Sequence, residues 1–408
     1  MKCRHCATPL QDTFLDLGFA PPSNAYVAEA DIGSPERCYP LKLNVCRECW
    51  LVQVETDANI TELFAPNYAY FSSTSSSWLE HASRFAQTII PRLRLNAASF
   101  VIEVASNDGY LLRHFATGGI PCLGIEPTGS TADAAEALGI PVMREFFGHA
   151  LARQFALEGK QADLIIANNV LAHVPDINDF VLGLKTALKP GGTITLEFPH
   201  LLHLIEETQF DTVYHEHFSY LSLYTVNRVL TNSGLRISDV EELSTHGGSL
   251  RVYACHAEDH RPNHDAAIDA ILSAETNAGL REITTYRDFQ SRADTVKTRL
   301  LNFLITQKRE GRKLAGYGAA AKGNTLLNYA RVNRDLLPFV CDAAPSKQGK
   351  FLPGSQIPIV SPSVLKQFKP DLLLILPWNI ADEVKQQHDY IREWGGRFVI
   401  AVPEIRFL

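Results

Sequence analysis

The run Val101-Ile-Glu-Val-Ala-Ser-Asn-Asp-Gly-Tyr-Leu-Leu112 decides the fold. It begins as a short apolar strand, breaks into a turn of small and polar residues, and resumes as the apolar start of a helix. Ala105, Ser106 and Gly109 carry little or no side chain, so the backbone there can approach a ligand closely. The turn lies at the carboxyl end of a strand, where open parallel sheets bind ligands. A pyrophosphate-binding turn would read Gly-x-Gly-x-x-Gly, and this one does not. Glu103 and Asp108 make it acidic instead, which suits a cationic sulfonium ligand with an amino-acid tail. The next strand, Cys122-Leu-Gly-Ile-Glu126, places Glu126 seventeen residues after Gly109, where an acid accepts both hydroxyls of a ribose. Asn168 and Asn169 end the strand Leu164-Ile-Ile-Ala-Asn-Asn-Val170 on the same sheet edge. Singly, each is an ordinary loop or cap residue. In this order Glu103, Ser106, Asn107, Asp108, Gly109, Glu126, Asn168 and Asn169 point to S-adenosylmethionine, with a dinucleotide as the rival ligand.

Outward from this strand, residues from about 80 to 255 alternate apolar strands with amphipathic helices, the pattern of a doubly wound parallel sheet. Residues 264–310 read as one or two long polar helices. A second strand-helix series follows, with strands in Lys313–Ala319, Leu336–Asp342, Asp371–Pro377 and Arg397–Pro403. The expected fold class is therefore α/β in three parts. These are an N-terminal zinc-binding module (1–70), a central class I methyltransferase domain of Rossmann-like form (71–260) and a C-terminal Rossmann-like α/β domain (261–408).

The 408 residues exceed what one core usually organises. A net charge of −7, spread along the chain, argues against a nucleic-acid partner, which calls for a basic excess. The start, Met1-Lys-Cys-Arg-His-Cys-Ala-Thr-Pro-Leu10, holds no signal-like apolar run, and no stretch reaches about 18 apolar residues. The expectation is a soluble cytoplasmic protein with no membrane partner.

Cys3-Arg-His-Cys6 and Cys46-Arg-Glu-Cys49 are two Cys-x-x-Cys knuckles. Each offers two thiolates to one tetrahedral ion, and four soft sulfurs favour zinc with no position left for water. A structural Zn2+ is expected, against the alternatives of core cysteines or a redox pair. Cys38 is a bystander and His5 a loop residue.

Lys313-Leu-Ala-Gly316-Tyr-Gly318-Ala-Ala-Ala321-Lys322-Gly-Asn324 reads as strand, turn and helix with Gly-x-Gly-x-x-Ala spacing. Such a turn can hold a diphosphate at a helix N-terminus, with Asp342 after the next strand near a ribose. It fits NAD as well as a nucleotide sugar, and a turn that serves packing alone stays open. Lys322 and Asn324 are assigned to substrate, with Arg299 as a further phosphate candidate.

The chain resembles the sugar C-methyltransferase family, enzymes that methylate carbon 3 of 4-keto deoxysugar nucleotides. The likeness spans nearly the whole chain. It is carried by the four cysteines with Asp16-Leu-Gly-Phe-Ala-Pro-Pro-Ser-Asn24, by Tyr68-Ala-Tyr70-Phe-Ser-Ser73 and by Glu103 to Gly109. Asn169 with His173, Tyr214-His215-Glu216-His217-Phe218, His246-Gly-Gly248 and Gly316 to Asn324 complete it. The resemblance implies a nucleotide-linked substrate, dTDP-4-keto-deoxyhexose in kind. It makes His217 the base with Tyr214 and Glu216 beside it, and puts Tyr68, Tyr70 and His173 in the same pocket. His215 departs from the acidic residue common in antibiotic-sugar members, which leaves the substrate more open than the chemistry.

If the run from Thr212 to Thr225 were extended, Tyr214 and Glu216 would share one face and His215 and His217 the other. A turn is expected between Glu216 and His217, so that both reach the site. His-Glu-His as a metal site lacks an evident third ligand, and a satisfied structural histidine is the plainer alternative. Two other activities stay open: an NAD-dependent oxidoreductase built on the C-terminal turn, and O- or N-methylation of a nucleotide sugar.

Overall fold

A computed structural model describes residues 1–55 and 71–408; Tyr68 and Tyr70 lie outside the described residues. Strands β1 (Asp12–Ala20), β2 (Tyr39–Val45) and β3 (Val52–Glu55) form an antiparallel sheet. Leu41, Leu43, Val45, Val52 and Val54 are buried, so alternate residues of β2 and β3 fill one core face.

The central sheet contains β4 (Val101–Val104), β5 (Cys122–Ile125), β6 (Val142–Met143), β7 (Ala162–Asn168) and β8 (Leu188–Pro199), all parallel. Every residue of β4 is buried, as expected of a strand covered by helices on both faces. Two more strands, β10 (Leu235–Leu243) and β11 (Ser249–His256), extend the far edge, with β11 antiparallel to both neighbours. The order is β10-β11-β8-β7-β4-β5-β6. From β4 the chain builds one way through β5 and β6, then returns to β7 on the other side. That reversal opens a crevice outside the carboxyl ends of β4 and β7.

Between β8 and β10 the chain leaves this sheet. Strand β9 (Ser219–Tyr220) joins the first sheet instead, pairing Tyr220 with Val52. The residues just after His217 are thereby clamped to the N-terminal module.

The third sheet holds β12 (Leu314–Tyr317), β13 (Val340–Cys341), β14 (Ile359–Val360), β15 (Leu372–Ile375), β16 (Arg397–Ile400) and β17 (Arg406–Phe407). Its order is β14-β13-β12-β15-β16-β17, parallel except for β17. One apolar core runs from this sheet to the first. Phe14 of β1 meets Tyr286 edge-on at 5.4 Å and Phe289 at 4.6 Å, and the helix Phe289–Arg309 presses Ala293, Val296, Leu300 and Leu304 into the same cluster. A second core joins Cys3, Cys46 and Cys49 to the central sheet and takes in Ile271 from the helix Asp265–Asn277. Among the described residues no helix is long and apolar enough to cross a membrane.

Candidate active site

The four knuckle sulfurs lie within 4.8 Å of one another. Cys3 and Cys49 are 3.5 Å apart, Cys6 and Cys46 3.5 Å, and Cys6 and Cys49 3.7 Å. Tetrahedral zinc with bonds of ~2.3 Å needs sulfurs about 3.8 Å apart, so the set fits a closed structural ion. Gln53 Nε2 donates to Cys3 Sγ at 3.3 Å, the kind of outer contact that orients a ligand. His5 does more than fill a loop: its Nδ1 pairs with Asn178 at 2.8 Å and its Nε2 with Asn232 at 3.1 Å, tying the first knuckle to the central domain. Cys38 is exposed and apart.

At the switch point, Ala105, Asn107 and Gly109 all have left-handed backbone, with φ of 53°, 50° and 76°. Gly109 is needed for a second reason besides the one expected. A Cβ there would sit 2.5 Å from Ile140 Cδ1 and 3.2 Å from Ala135 Cβ, so the glycine also serves close packing on the neighbouring helix. Gly124 in β5 plays a similar part, because a Cβ on it would collide with Ser106 Oγ.

Glu126 is buried at the end of β5; its Oε2 accepts the Asn107 N–H at 2.9 Å, and its Oε1 accepts the Thr128 N–H at 2.9 Å and the Thr128 hydroxyl. Asn107 Oδ1 accepts from Ser72 N at 2.9 Å and Asp108 Oδ2 from Ser73 N at 3.0 Å, which draws the chain before the helix Ser76–Leu93 over the loop. Burial pushes the Glu103 carboxyl well above its usual range, helped by the nearby charges of Asp108 and Glu126. Five buried atoms here have no hydrogen-bond partner: Glu103 Oε2, Ser106 Oγ, Asp108 Oδ1, Asn168 Oδ1 and Asn169 Oδ1. Three of the five, on Asp108, Asn168 and Asn169, are acceptors, and Glu103 becomes one when a cation beside it draws off its proton. A ligand bringing an ammonium group, ribose hydroxyls and positive charge supplies what they lack, and S-adenosylmethionine is such a ligand.

Beside that crevice a turn organises the histidines. His217 N–H donates to Tyr214 O at 3.0 Å, so the chain reverses through His215 and Glu216. The turn begins earlier than expected and makes different neighbours. Tyr214 and His217 come together, while His215 packs on Tyr39, its Nε2 3.3 Å from the Tyr39 carbonyl. Glu216 points toward the N-terminal module, where Asn24 Nδ2 donates to its Oε2 at 2.7 Å. Burial raises the Glu216 carboxyl to about 8.

His217 Nδ1 lies 3.2 Å from Thr212 O, which can only accept, so Nδ1 carries the proton. Nε2 is then the basic atom, and the Tyr214 hydroxyl donates to it at 2.7 Å. His173 meets the His217 ring edge-on at 4.6 Å. Burial holds His217 well below the usual imidazole value, with the charges of His173, His246 and Lys322 adding to the effect. Burial likewise takes His173 and His246 down to about 4. Among the described residues only the four cysteines gather as a metal-binding cluster.

His246 links this group to the cofactor edge: its Nε2 is 3.4 Å from Asn169 Nδ2, and its ring lies 5.2 Å from Trp78. Behind it stands a buried network that sequence reading did not find. Glu197 of β8 is fully buried and meets His81 at 3.0 Å, Arg251 at 3.0 Å and the Thr245 hydroxyl at 3.2 Å. The only clue was a carboxylate inside the apolar run Ile194-Thr-Leu-Glu-Phe198.

In the C-terminal turn Asp342 is held much as Glu126 is: its Oδ2 accepts the Ala319 N–H at 2.8 Å and its Oδ1 the Ala344 N–H at 2.8 Å. Asn324 is buried, and its amide donates to Ser23 O at 2.5 Å, fastening the N-terminal module. Arg299 is exposed on its helix and stands outside these contacts. Of these four, Lys322 reaches the histidine group, through His246 O at 3.4 Å.

An acidic loop at the switch point of a sheet in this order, beside a closed four-cysteine zinc site, defines an S-adenosylmethionine-dependent methyltransferase. Comparison with known proteins narrows the class. Residues 244–403 match the C-methyltransferase C-terminal domain, residues 78–240 a methyltransferase domain, and residues 3–64 a domain described as zinc-binding. The chain is 33% identical to C-methyltransferase NovU of Streptomyces niveus, over 100% of this chain and 96% of that protein. It belongs to the C-methyltransferase family and acts as an S-adenosylmethionine-dependent C-methyltransferase on a small-molecule substrate. Solved structures resemble it over less than half its length. PH0226 of Pyrococcus horikoshii OT3 is 13% identical with a TM-score of 0.39, covering 46% of this chain and 95% of that one. Magnesium protoporphyrin IX methyltransferase of Synechocystis PCC 6803, with bound SAH, is 15% identical with a TM-score of 0.35, covering 43% and 82%.

Proposed function

We propose that this enzyme methylates carbon 3 of a nucleotide-linked 4-keto-deoxyhexose, with dTDP as the nucleotide and His217 as the base. The observation that carries the reading is the tautomer of His217. The Thr212 carbonyl keeps the proton on Nδ1, and the basic Nε2 faces the Tyr214 hydroxyl in a pocket beside the cofactor edge. A ketone acidifies the neighbouring C–H, but removing that proton still needs a positioned base. Burial keeps His217 neutral at physiological pH, so its lone pair is available without prior deprotonation.

The carbon 3 proton passes to His217 Nε2 as Tyr214 yields its place on that atom. The electron pair moves onto the carbon 4 oxygen, which then needs hydrogen-bond donors. Glu216, held protonated by burial, and the Tyr214 hydroxyl are two such donors. Bound S-adenosylmethionine supplies a methyl on a positively charged sulfur, an electrophile that needs no acid to leave. Glu126 would take its ribose hydroxyls, and Glu103, Asp108, Asn168 and Asn169 its amino-acid end and sulfonium. Proximity across the crevice accounts for much of the rate. Tyr68, Tyr70 and His173 are proposed to line the sugar pocket. The relative's name supports carbon as the methyl acceptor.

Incubation with a panel of 4-keto sugar nucleotides and methyl-labelled cofactor, read by mass spectrometry, tests the proposal. A dTDP-4-keto-deoxyhexose carrying the label on carbon supports it. Label found only on oxygen or nitrogen would replace it with the other methylation chemistry.

A further inference from the structure

Lys322 is the second residue of the helix Ala321–Tyr329, which begins two alanines after Gly316-Tyr-Gly318, and that placement makes a diphosphate its obvious partner. The turn itself is occupied by its own protein. Ala319 N–H donates to Asp342 at 2.8 Å, Gly318 N–H to Cys341 O at 2.7 Å and Ala320 N–H to Gly318 O at 2.9 Å. Gly318 is glycine because a Cβ would collide with Pro377 Cδ, and a Cβ on Gly316 would lie 2.8 Å from Val340 Cγ2. Tyr26 and Lys347 both donate to the Ala319 carbonyl, at 2.5 and 3.0 Å. The two glycines and the N–H groups of Gly318, Ala319 and Ala320 are accounted for by packing.

The Lys322 side chain, meanwhile, crosses to the central domain. Its ammonium donates to Asn379 Oδ1 at 2.9 Å and His246 O at 3.4 Å, and lies 4.5 Å from the centre of the Trp378 ring. His246 in turn contacts Asn169 and Trp78, so the ammonium stands on the wall shared by the histidine pocket and the cofactor edge. Two acceptors take two of its three N–H bonds, leaving the third for a ligand. The Asp211 carboxylate, whose charge it feels, is instead bonded through Oδ2 to Trp378 Nε1 at 2.7 Å. Burial, partly offset by Asp211, lowers the ammonium to about 8, so it remains largely charged at neutral pH.

We propose that Lys322 is a catalytic residue of the central site, hydrogen-bonding the substrate carbonyl oxygen beside the carbon that is methylated, rather than an anchor for the diphosphate. This rests on the function proposed above. As the carbon 3 C–H bond breaks, its proton goes to His217 and its electron pair forms the C3=C4 bond. The C4=O pair moves onto oxygen, where the Lys322 ammonium holds it. The C3=C4 pair then forms the new C–CH3 bond while the methyl's bond to sulfur breaks with its pair left on sulfur, the oxygen pair restores C4=O, and Lys322 ends as it began. Removing one preorganised donor to such an oxyanion costs about 10²–10³ in rate.

The test uses the full zinc-loaded chain and the dTDP-4-keto sugar that the wild type methylates. K322M is expected to slow single-turnover methyl transfer about 100-fold, while dTDP and S-adenosylhomocysteine bind within about twofold of wild type by calorimetry. K322R should recover part of the rate. N379A, which keeps the charge but loosens its position, should slow transfer about 3- to 10-fold with dTDP binding unchanged, and it decides the matter if K322M does not fold. Weakened dTDP binding with an unchanged saturated rate would overturn the proposal, as would an unchanged rate in K322M or, where K322M does not fold, in N379A. A wild type that methylates no 4-keto sugar nucleotide would instead sink the reading beneath it.

Discussion

Asn24 and Glu216 are joined by a 2.7 Å hydrogen bond between residues 192 positions apart. An amide from the N-terminal module thus holds a carboxyl that belongs to the histidine turn. The bond leaves Glu216 Oε1 buried without a partner, and burial keeps that carboxyl protonated up to about 8. The N-terminal module is therefore in direct contact with the histidine turn.

Glu216 makes stability depend on pH in a definite direction. Its folded pKa is raised above the unfolded value of about 4.3. Below that value both states hold the proton. Between it and about 8 the unfolded chain ionises first, so stability falls as pH rises. Glu216→Gln removes this slope, and its melting temperature should gain on wild type progressively from about pH 5 to pH 8. A constant difference across that range would contradict the assigned protonation.

The buried histidines act in the opposite sense. His173, His215, His217 and His246 are all pushed down by burial, so below about pH 6.5 the unfolded chain takes up protons that the folded one refuses. Their contribution to stability should fall as pH drops from about 6.5 to about 4, opposing the slope of Glu216; a His246→Asn variant should take up fewer protons on unfolding than wild type, measurable by calorimetry in buffers of different ionisation enthalpy.

Zinc should matter beyond its own module. Cys3, Cys46 and Cys49 pack in the core of the central sheet, and β9 couples the module to the residues after His217. Chelation, or Cys49→Ser, should lower the melting temperature by several degrees and reduce turnover, with about one zinc per chain lost in metal analysis. Full activity in zinc-free protein would separate the module from the site.

Glu126→Ala should weaken S-adenosylhomocysteine binding about 10- to 100-fold, the loss expected when hydrogen bonds to a charged acceptor are removed. Because Glu126 also holds the Asn107 and Thr128 N–H groups, some of this reflects a loosened loop. Affinity equal to wild type would mean that the adenosine lies elsewhere.

The central sheet was legible because its strands are continuous apolar runs ending in small or acidic residues, as Val101 to Asp108 and Cys122 to Glu126 show. The cysteine pairs were legible through spacing alone. Contacts between distant segments were not. Nothing local marks Asn24 as the partner of Glu216, Ser23 as the anchor of Asn324, or Glu197 as the hub for His81 and Arg251. The Gly-x-Gly-x-x-Ala turn is ambiguous for a related reason: a glycine required by a close neighbour, here Pro377, reads the same as one that admits a phosphate.

Hydrogen exchange at carbon 3 bears most directly on His217 as the base. A dTDP-4-keto-deoxyhexose is incubated in D2O with enzyme and S-adenosylhomocysteine, so that no methyl can transfer, and the carbon 3 proton is followed by NMR. The wild type should exchange it for deuterium, and His217→Ala should do so at least about 100-fold more slowly. Exchange by His217→Ala at the wild-type rate, or a wild type that methylates the sugar yet never exchanges that hydrogen, would contradict the account.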